Sequence, residues 1–424
     1  VARDALLPDA SLSAFPFPPV PPGAEAVAVI VPTIVSNGRE LETLCTRVRA
    51  AGRVAIDTEF HAERTYSPRL MVVQLAFDDG AAIVDPLAIA DIGPLAQALC
   101  ETTVIGHALS SDLKIFADRF DRVPPEVFDT QIMAAFLGYG MQISLVDLVR
   151  DLQHVRLAKS QTVSDWSSRP FSERQIEYLV DDVAHLLPMF DVLRERLEKK
   201  GRLEWAREEC EELGEIERYR IDERRAYLRI PGAMRMNRRE LGTLSEIVKL
   251  RDRIARERDV PVKYVIPDDV VAGLASLRPK TLDDLAQLRR LDAGTRRQLG
   301  PAILDAVARG QALDEASLPE KPQRPLGPSR DTLVALLSVV AGEMAREADL
   351  PASLVVPRSV LERLARELPR DRAAFEAALA LTPWRLELVG EPLWRLLSGE
   401  SGLRIEGYAE GDPKIRLSDG TAHE

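Results

Sequence analysis

Cysteine and aromatic side chains are scarce in this 424-residue chain and net positive charge is lacking, and each of these closes off a class of protein. Only three cysteines occur, Cys45, Cys100 and Cys210, far apart and with no CxxC pair. A disulfide framework or a zinc site needs closely spaced thiols, so free buried thiols in a reducing compartment, the cytoplasm, are expected instead. No run of eighteen apolar residues exists to form a transmembrane helix. The start of the chain has neither the basic residues nor the apolar core of a secretory signal; residues 6–22 read as a Pro-rich, disordered extension. No membrane association is expected and no protein partner is identifiable. Aromatics make up only 5%, and the formal net charge is −11. Bulk charge therefore does not advertise a nucleic-acid binder; contact with phosphate would have to come from a local basic cluster or from bound cations.

What is present is an ordinary hydrophobic share, 46%, spread over a length that suits two to four domains. Asn37 and Glu40 have capping-box spacing ahead of a helical pattern at Leu41, Leu44 and Val48. Three apolar runs follow, 54–60, 70–77 and 81–84, the last two joined by the tight junction Asp78-Asp79-Gly80 of a hairpin. Helical stretches then alternate with strands at 104–106 and near Val127, which predicts a mixed sheet flanked by helices. A Glu-dense stretch, 204–217, reads as a solvated helix face. From residue 218 to 239 the sign reverses, with eight Arg against Asp222 and Glu223.

Everything after about residue 240 reads as helix, and it is duplicated. Ala255-Arg256-Glu257-x-Asp259-x-Pro261, with Pro267 beyond, recurs ninety positions later as Ala345-Arg346-Glu347-x-Asp349-x-Pro351, with Pro357 beyond. A period of that size means two copies of one small all-α domain. The copies differ in charge: residues 240–313 carry 13 Lys+Arg and 11 Asp+Glu, whereas 331–400 carry 8 and 11. Only the first, with the Arg-rich connection before it, looks suited to phosphates, so removing residues from about 331 onward should disturb activity on simple RNA less than removing those from about 240 onward. The expected organisation is a Pro-rich extension 1–34, an α/β unit 35–203, a charged helical linker 204–236, a helical copy 237–316, a linker 317–329, a second copy 330–402 and a frayed polar tail 403–424.

Chemistry concentrates at three places. In the run Ile56-Asp57-Thr58-Glu59-Phe60, alternation along a strand puts Asp57 and Glu59 on one face. Two carboxylates side by side on an apolar strand cost several kcal/mol each, about the scale of burying an unpaired charge, unless a cation sits between them. Asp112 falls in the first turn of the helix starting near Ser110. Tyr178 and Asp182 are four apart and share a helical face. Hydrolysis of a phosphodiester with two divalent metals about 3.5–4 Å apart requires several oxygen donors converging from different elements. Mg²⁺ takes such donors, keeps waters and shares substrate phosphate. Asp57 bridging two ions, Glu59 and Asp182 on one, Asp112 reaching the other through water, and Tyr178 orienting the attacking water would meet that need.

The order Asp57-x-Glu59, Asp112, Tyr178-x₃-Asp182 resembles the DEDD exonuclease superfamily in its tyrosine branch; the histidine branch would place His where Glu177 stands. Asp57-Thr58-Glu59-Phe60, Arg64-Thr65-Tyr66-Ser67-Pro68-Arg69-Leu70, Gln74-Leu75, Asp129-Thr130-Gln131 and Ser164-Asp165-Trp166-Ser167-Ser168-Arg169-Pro170 resemble the ribonuclease D family more specifically, and the helical copies resemble HRDC domains. The resemblance implies an RNase H-like α/β nuclease domain followed by two all-α HRDC-like domains. It also implies two divalent cations, Mg²⁺ or Mn²⁺, and 3′→5′ removal of nucleotides from RNA with a free 3′ end, in particular tRNA precursors. His107, Trp166 and Arg169 are further candidates for contact with substrate; Trp166 and Arg169 could equally brace the loop under the last helix. The alternatives are a DNA-directed 3′→5′ exonuclease, which the carboxylates cannot distinguish because metals contact phosphate and not the 2′-hydroxyl, and a catalytically silent nucleic-acid-binding scaffold.

Overall fold

The structure, a computed structural model, describes residues 30–157, 165–220, 222–321, 326–409, 411 and 414–419. Most of the expected Pro-rich extension lies outside the described residues. Its end does not: Thr33–Val35 forms strand β1, paired parallel with β4.

The α/β unit runs β1, α1 (Gly38–Ala51), β2 (Arg53–His61), β3 (Arg69–Phe77), β4 (Gly80–Val84), α2 (Gly93–Leu99), β5 (Thr103–Gly106), α3 (Ser110–Phe120), β6 (Val127–Asp129), α4 (Thr130–Ala135), α5 (Leu145–Gln153), α6 (Glu173–Ala184), α7 (Leu186–Lys199) and α8 (Leu203–Glu211). The sheet order is β1-β4-β3-β2-β5-β6, with β3 antiparallel to both neighbours and the other pairs parallel. It is the mixed sheet that the hairpin and alternating pattern predict. Asn37 caps α1 by accepting from Glu40 N, but the Glu40 carboxylate accepts from Ser36 N, one residue before the cap. α8 is not a merely solvated helix: Ala206 and Cys210 on it are fully buried, and Cys210 Sγ accepts from Asp129 N at 3.3 Å. Cys45 is buried too and all three thiols are free.

The first helical copy comprises α9 (Arg238–Arg258), α10 (Val262–Val265), α11 (Asp268–Leu277) and α12 (Ala293–Ala312). The second comprises α13 (Pro328–Glu347), α14 (Ala352–Val355), α15 (Arg358–Glu367), α16 (Arg372–Leu379) and α17 (Pro383–Leu397). The repeated turn matches in detail, with Asp259 and Asp349 both left-handed, φ 48° and 53°. The tail expected to fray instead forms an antiparallel hairpin, β7 (Ser401–Glu406) and β8 (Lys414–Asp419). Leu403 and Leu417, facing each other across it, pack on the core of the second copy. Among the described residues no helix is long and apolar enough to cross a membrane.

Candidate active site

β2 is the spine of the site. Its side chains alternate, so Asp57 and Glu59 emerge on one face while Thr58 is buried on the other. The register with β3 shifts between Glu59 and Phe60, a bulge that ends the regular pairing at the last carboxylate. α6 lies across β3, β4 and β2, fastened by buried Leu179, Val180 and Val183 and opened by a capping box from Ser172 and Gln175. Its outward turn delivers Tyr178 and Asp182, four residues apart, onto the Asp57–Glu59 face. One carboxylate oxygen from each of Asp57, Glu59 and Asp182 lies within 4.8 Å of the others.

Asp112 arrives from the far side of β2. Asp129, at the end of β6, accepts from Ala108 N (3.0 Å), Leu109 N (2.9 Å) and Gln131 N (2.8 Å), which fixes the turn that starts α3. Ala108 is left-handed there, φ 57°. Asp112 then sits buried in the first turn of α3 and accepts a hydrogen bond from the Thr58 hydroxyl. It stands outside the trio but is close enough for its charge to raise Asp57.

Four carboxylates in one place are costly. Burial, then the charges of Asp112, Asp182 and Glu59, holds Asp57 well above the usual carboxylate range. Burial and the neighbouring Asp182 and Asp112 push Glu59 up to about 7. Burial likewise raises Asp112 and Asp182. Among the described residues no Lys or Arg bonds to any of the four; Asp57 has a backbone hydrogen bond from Thr58 and Gln74 Nε2 at 3.4 Å. Asp182 takes a hydrogen bond from Tyr178, but its Oδ2 is buried with no hydrogen-bond partner among the described residues. An all-oxygen donor set with an orphaned buried anion fits a hard divalent cation, which repays the desolvation. Burial followed by the charges of Asp182 and Glu59 raises the Tyr178 hydroxyl, so it stays protonated and able to donate.

The three lesser candidates turn inward. Arg169 spends its donors on Asp85 (2.6 and 2.8 Å), Met71 O (2.9 Å), Trp166 O (2.7 Å) and Ser168 O (2.8 Å), and its guanidinium lies 3.9 Å from the Phe171 ring centre. It has no N–H left for a phosphate and braces the loop instead. Trp166 is 5% exposed, with its ring 5.6 Å from that of Tyr178. Its indole N–H points to Glu59 and helps hold that carboxyl down. His107 is bound at both nitrogens, Nδ1 to the Thr130 hydroxyl and Nε2 to Ile143 O, each at 3.0 Å, and ties β5 to the loop before α5. The family motifs contain Thr58, Gln74 and Asp129, but nothing in the sequence exposes them as supports of the carboxylates.

Half of the Arg-rich connection is also committed. Arg218 and Arg220 pair with Glu212, Glu217 and Asp121, and Arg238 and Arg239 bond Glu315 and the carbonyls that follow α12. Arg224, Arg225, Arg229 and Arg235 are exposed and have no ion pair among the described residues.

Carboxylates from β2, α3 and α6 converging with a tyrosine on a mixed sheet define a metal-dependent exonuclease of the DEDD type. Residues 32–198 match the 3′-5′ exonuclease family model, and 240–307 and 332–397 each match the HRDC domain. The chain is similar to ribonuclease D of Granulibacter bethesdensis, 36% identical over 382 residues that cover 89% of this chain and 95% of that one. Ribonuclease D of Acidiphilium cryptum is 34% identical over 383 residues, with coverages of 89% and 95%. The crystal structure of Escherichia coli RNase D, an exoribonuclease involved in structured RNA processing, superposes with a TM-score of 0.77 at 31% identity, over 87% of this chain and 99% of that one. The chain belongs to the ribonuclease D family. It is a 3′→5′ exoribonuclease that uses divalent metal.

Proposed function

We propose that Asp57, Glu59, Asp112 and Asp182 hold two divalent cations, Mg²⁺ or Mn²⁺, and that the enzyme trims the 3′ ends of tRNA precursors in the cytoplasm. The observation that carries the metal assignment is the convergence of Asp57, Glu59 and Asp182 around an orphaned Asp182 oxygen. Bound there, the cations offset phosphate charge and lower the pKa of an attacking water. Asp57, central among the four, would be shared between two cations; Glu59 and Asp182 would help to hold one and Asp112, held by Thr58, the other. The Tyr178 hydroxyl, beside Asp182 and Glu59, orients the attacking water, and Trp166 keeps Glu59 aimed. The carboxylates must be ionised to act, so the raised pKa values make metal loading favour neutral pH over acid.

The preference for tRNA precursors draws support from the structured-RNA role of the Escherichia coli relative and from the exposed arginines 224, 225, 229 and 235. The test uses the full chain with 5′-labelled RNA, matched DNA and a tRNA precursor bearing a 3′ extension, each with Mg²⁺, Mn²⁺ or chelator. Stepwise trimming of the extension, faster than on DNA and silent in chelator, is expected. Preference for DNA, or indifference to the tRNA body, overturns the substrate assignment.

A further inference from the structure

Beside the carboxylates stands one side chain whose hydrogen bonding is complete. All five N–H groups of Arg169 have acceptors: Nε and Nη2 clasp the two oxygens of Asp85, Nη2 also reaches Met71 O, and Nη1 reaches Trp166 O and Ser168 O. Asp85 is 5% exposed and also accepts from Leu87 N at 2.9 Å. The pair ties three elements together. Asp85 follows β4, and Met71 lies on β3 next to Val72, which faces Glu59 across the sheet. The Trp166 loop leads into α6, and Phe171, under the guanidinium, stands directly before the Ser172 cap of that helix.

Among the described residues neither Asp85 nor Arg169 bonds to any of the four carboxylates, so any effect on the reaction passes through another side chain. Trp166 is that link. Arg169 holds its carbonyl, and its ring belongs to the buried cluster of Met71, Val72, Phe171, Leu179 and Val180. From there the indole N–H reaches Glu59, and the ring lies 5.6 Å from that of Tyr178. A bidentate guanidinium–carboxylate pair fixes direction as well as distance. As a device for stability alone a buried ion pair is poor, because well-packed apolar side chains of similar volume do as well or better. A loop that only had to be covered could be covered by apolar residues. One that must aim an N–H at a carboxylate needs its own backbone held, and Arg169 holds it at two carbonyls.

We propose that Asp85 and Arg169 are a positioning pair for catalysis, acting through the indole N–H of Trp166 on the Glu59 carboxylate. The pair's role rests on Glu59 as a cation ligand, the reading given above. Arg169→Lys keeps a charge opposite Asp85 but lacks the planar fork that spans the carbonyls. Trp166→Phe keeps a ring against Tyr178 and loses only the N–H. Proton–nitrogen correlation spectra of the metal-free full chain show the indole N–H groups of its four tryptophans. The Trp166 signal is the one missing from Trp166→Phe, and Arg169→Lys moves it towards that of a water-exposed indole. With Mn²⁺ and one 5′-labelled RNA, each variant loses about 10- to 100-fold in kcat, the scale of a group misplaced by about 1 Å. KM for RNA and its salt dependence stay as in wild type; an arginine that gripped phosphate would raise KM and lower the salt slope by about one contact. The double variant falls no more than about threefold below the worse single variant, because both changes break the same link. Asp85→Asn, which weakens the pair from its other end, carries the same expectations and serves if Arg169→Lys fails to fold. A lowered melting temperature with the Trp166 signal and the kcat per folded molecule unchanged makes the pair a brace only and overturns the proposal. Single effects that multiply in the double variant overturn it too. Failure of the carboxylate assignment reads differently, as full turnover by Asp57→Ala.

Discussion

The two helical copies share a fold and a signature turn, yet they are joined to the nuclease unit by different physics. The second is fused to it. One continuous core runs from Ala55, Ile105 and Phe136 through Val334, Leu337 and Phe375, with Trp384 edge-on to Phe136 at 5.3 Å and stacked on Trp205 at 5.0 Å. Arg385, 8% exposed, pairs with Glu209, and Arg202 donates to Ala348 O. The first copy has its own core and meets the nuclease loop through Tyr66 and polar contacts, with Arg256 more than half exposed. Apolar burial makes a permanent joint, whereas exposed hydrogen bonds make one worth little net free energy. The acidic copy, which has less to offer phosphate, has become part of the nuclease scaffold; the basic copy keeps an open surface. Removing the second copy would therefore uncover the core, a cost that the charge of the two copies does not announce.

The largest effect should come from that joint. A chain ending at residue 330 should aggregate or lose cooperative unfolding, and Trp384→Ala should cost about 3–5 kcal/mol, the range for emptying a large aromatic site, read from denaturant unfolding. A Trp384→Ala protein as stable as wild type would erase the distinction between the copies. Metal binding should come next. Glu59, raised to about 7, and the likewise raised Asp57 favour the folded state when protonated. That contribution is complete below the unfolded carboxylate value, about 4, and is lost as pH rises through about 7. Mn²⁺ should therefore raise the melting temperature more at about pH 8 than at about pH 5.5, and Asp57→Asn should be more stable than wild type in chelator at the higher pH. Hydrogen exchange should show Mn²⁺ protecting the nuclease unit and second copy together and leaving the first copy unchanged. Protection spread equally over both copies would contradict the two kinds of joint. The smallest effect belongs to the polar latch: Tyr66→Phe removes two hydrogen bonds, one donated to Asp252 and one accepted from Arg256, and should cost about 1–2 kcal/mol in so exposed a contact. A cost like that of Trp384→Ala would mean that the first copy is fused as well.

The site was legible where chemistry follows local periodicity. Alternation at Asp57 and Glu59, the first turn at Asp112 and the four-residue step from Tyr178 to Asp182 are each readable within one element, and the strands and hairpin around them follow from apolar runs and Asp78-Asp79-Gly80. What escaped depends on distant partners. Nothing near Arg169 announces Asp85, 84 positions away, and nothing near His107 announces Ile143 O. Whether such a side chain grips substrate or braces a loop is decided by who sits opposite. Trp384 likewise reads as core of its own copy, and only tertiary packing brings it against Phe136 and Trp205. The C-terminal hairpin left a faint signal, Leu403 and Ile405 alternating with polar neighbours and Ile415 and Leu417 doing the same, in a segment polar enough to read as a tail.

The most direct test of the carboxylate site is a Mn²⁺ titration of wild type, Asp57→Ala and Tyr178→Phe, with metal binding measured by calorimetry and turnover on one 5′-labelled RNA. Wild type should bind metal and trim stepwise. Asp57→Ala should lose both binding and turnover, because it removes the ligand proposed to serve both ions. Tyr178→Phe should keep the binding and lose roughly 100-fold in rate, the scale of one positioned catalytic group. Cleavage that persists in excess chelator, or full turnover by Asp57→Ala, would contradict the account.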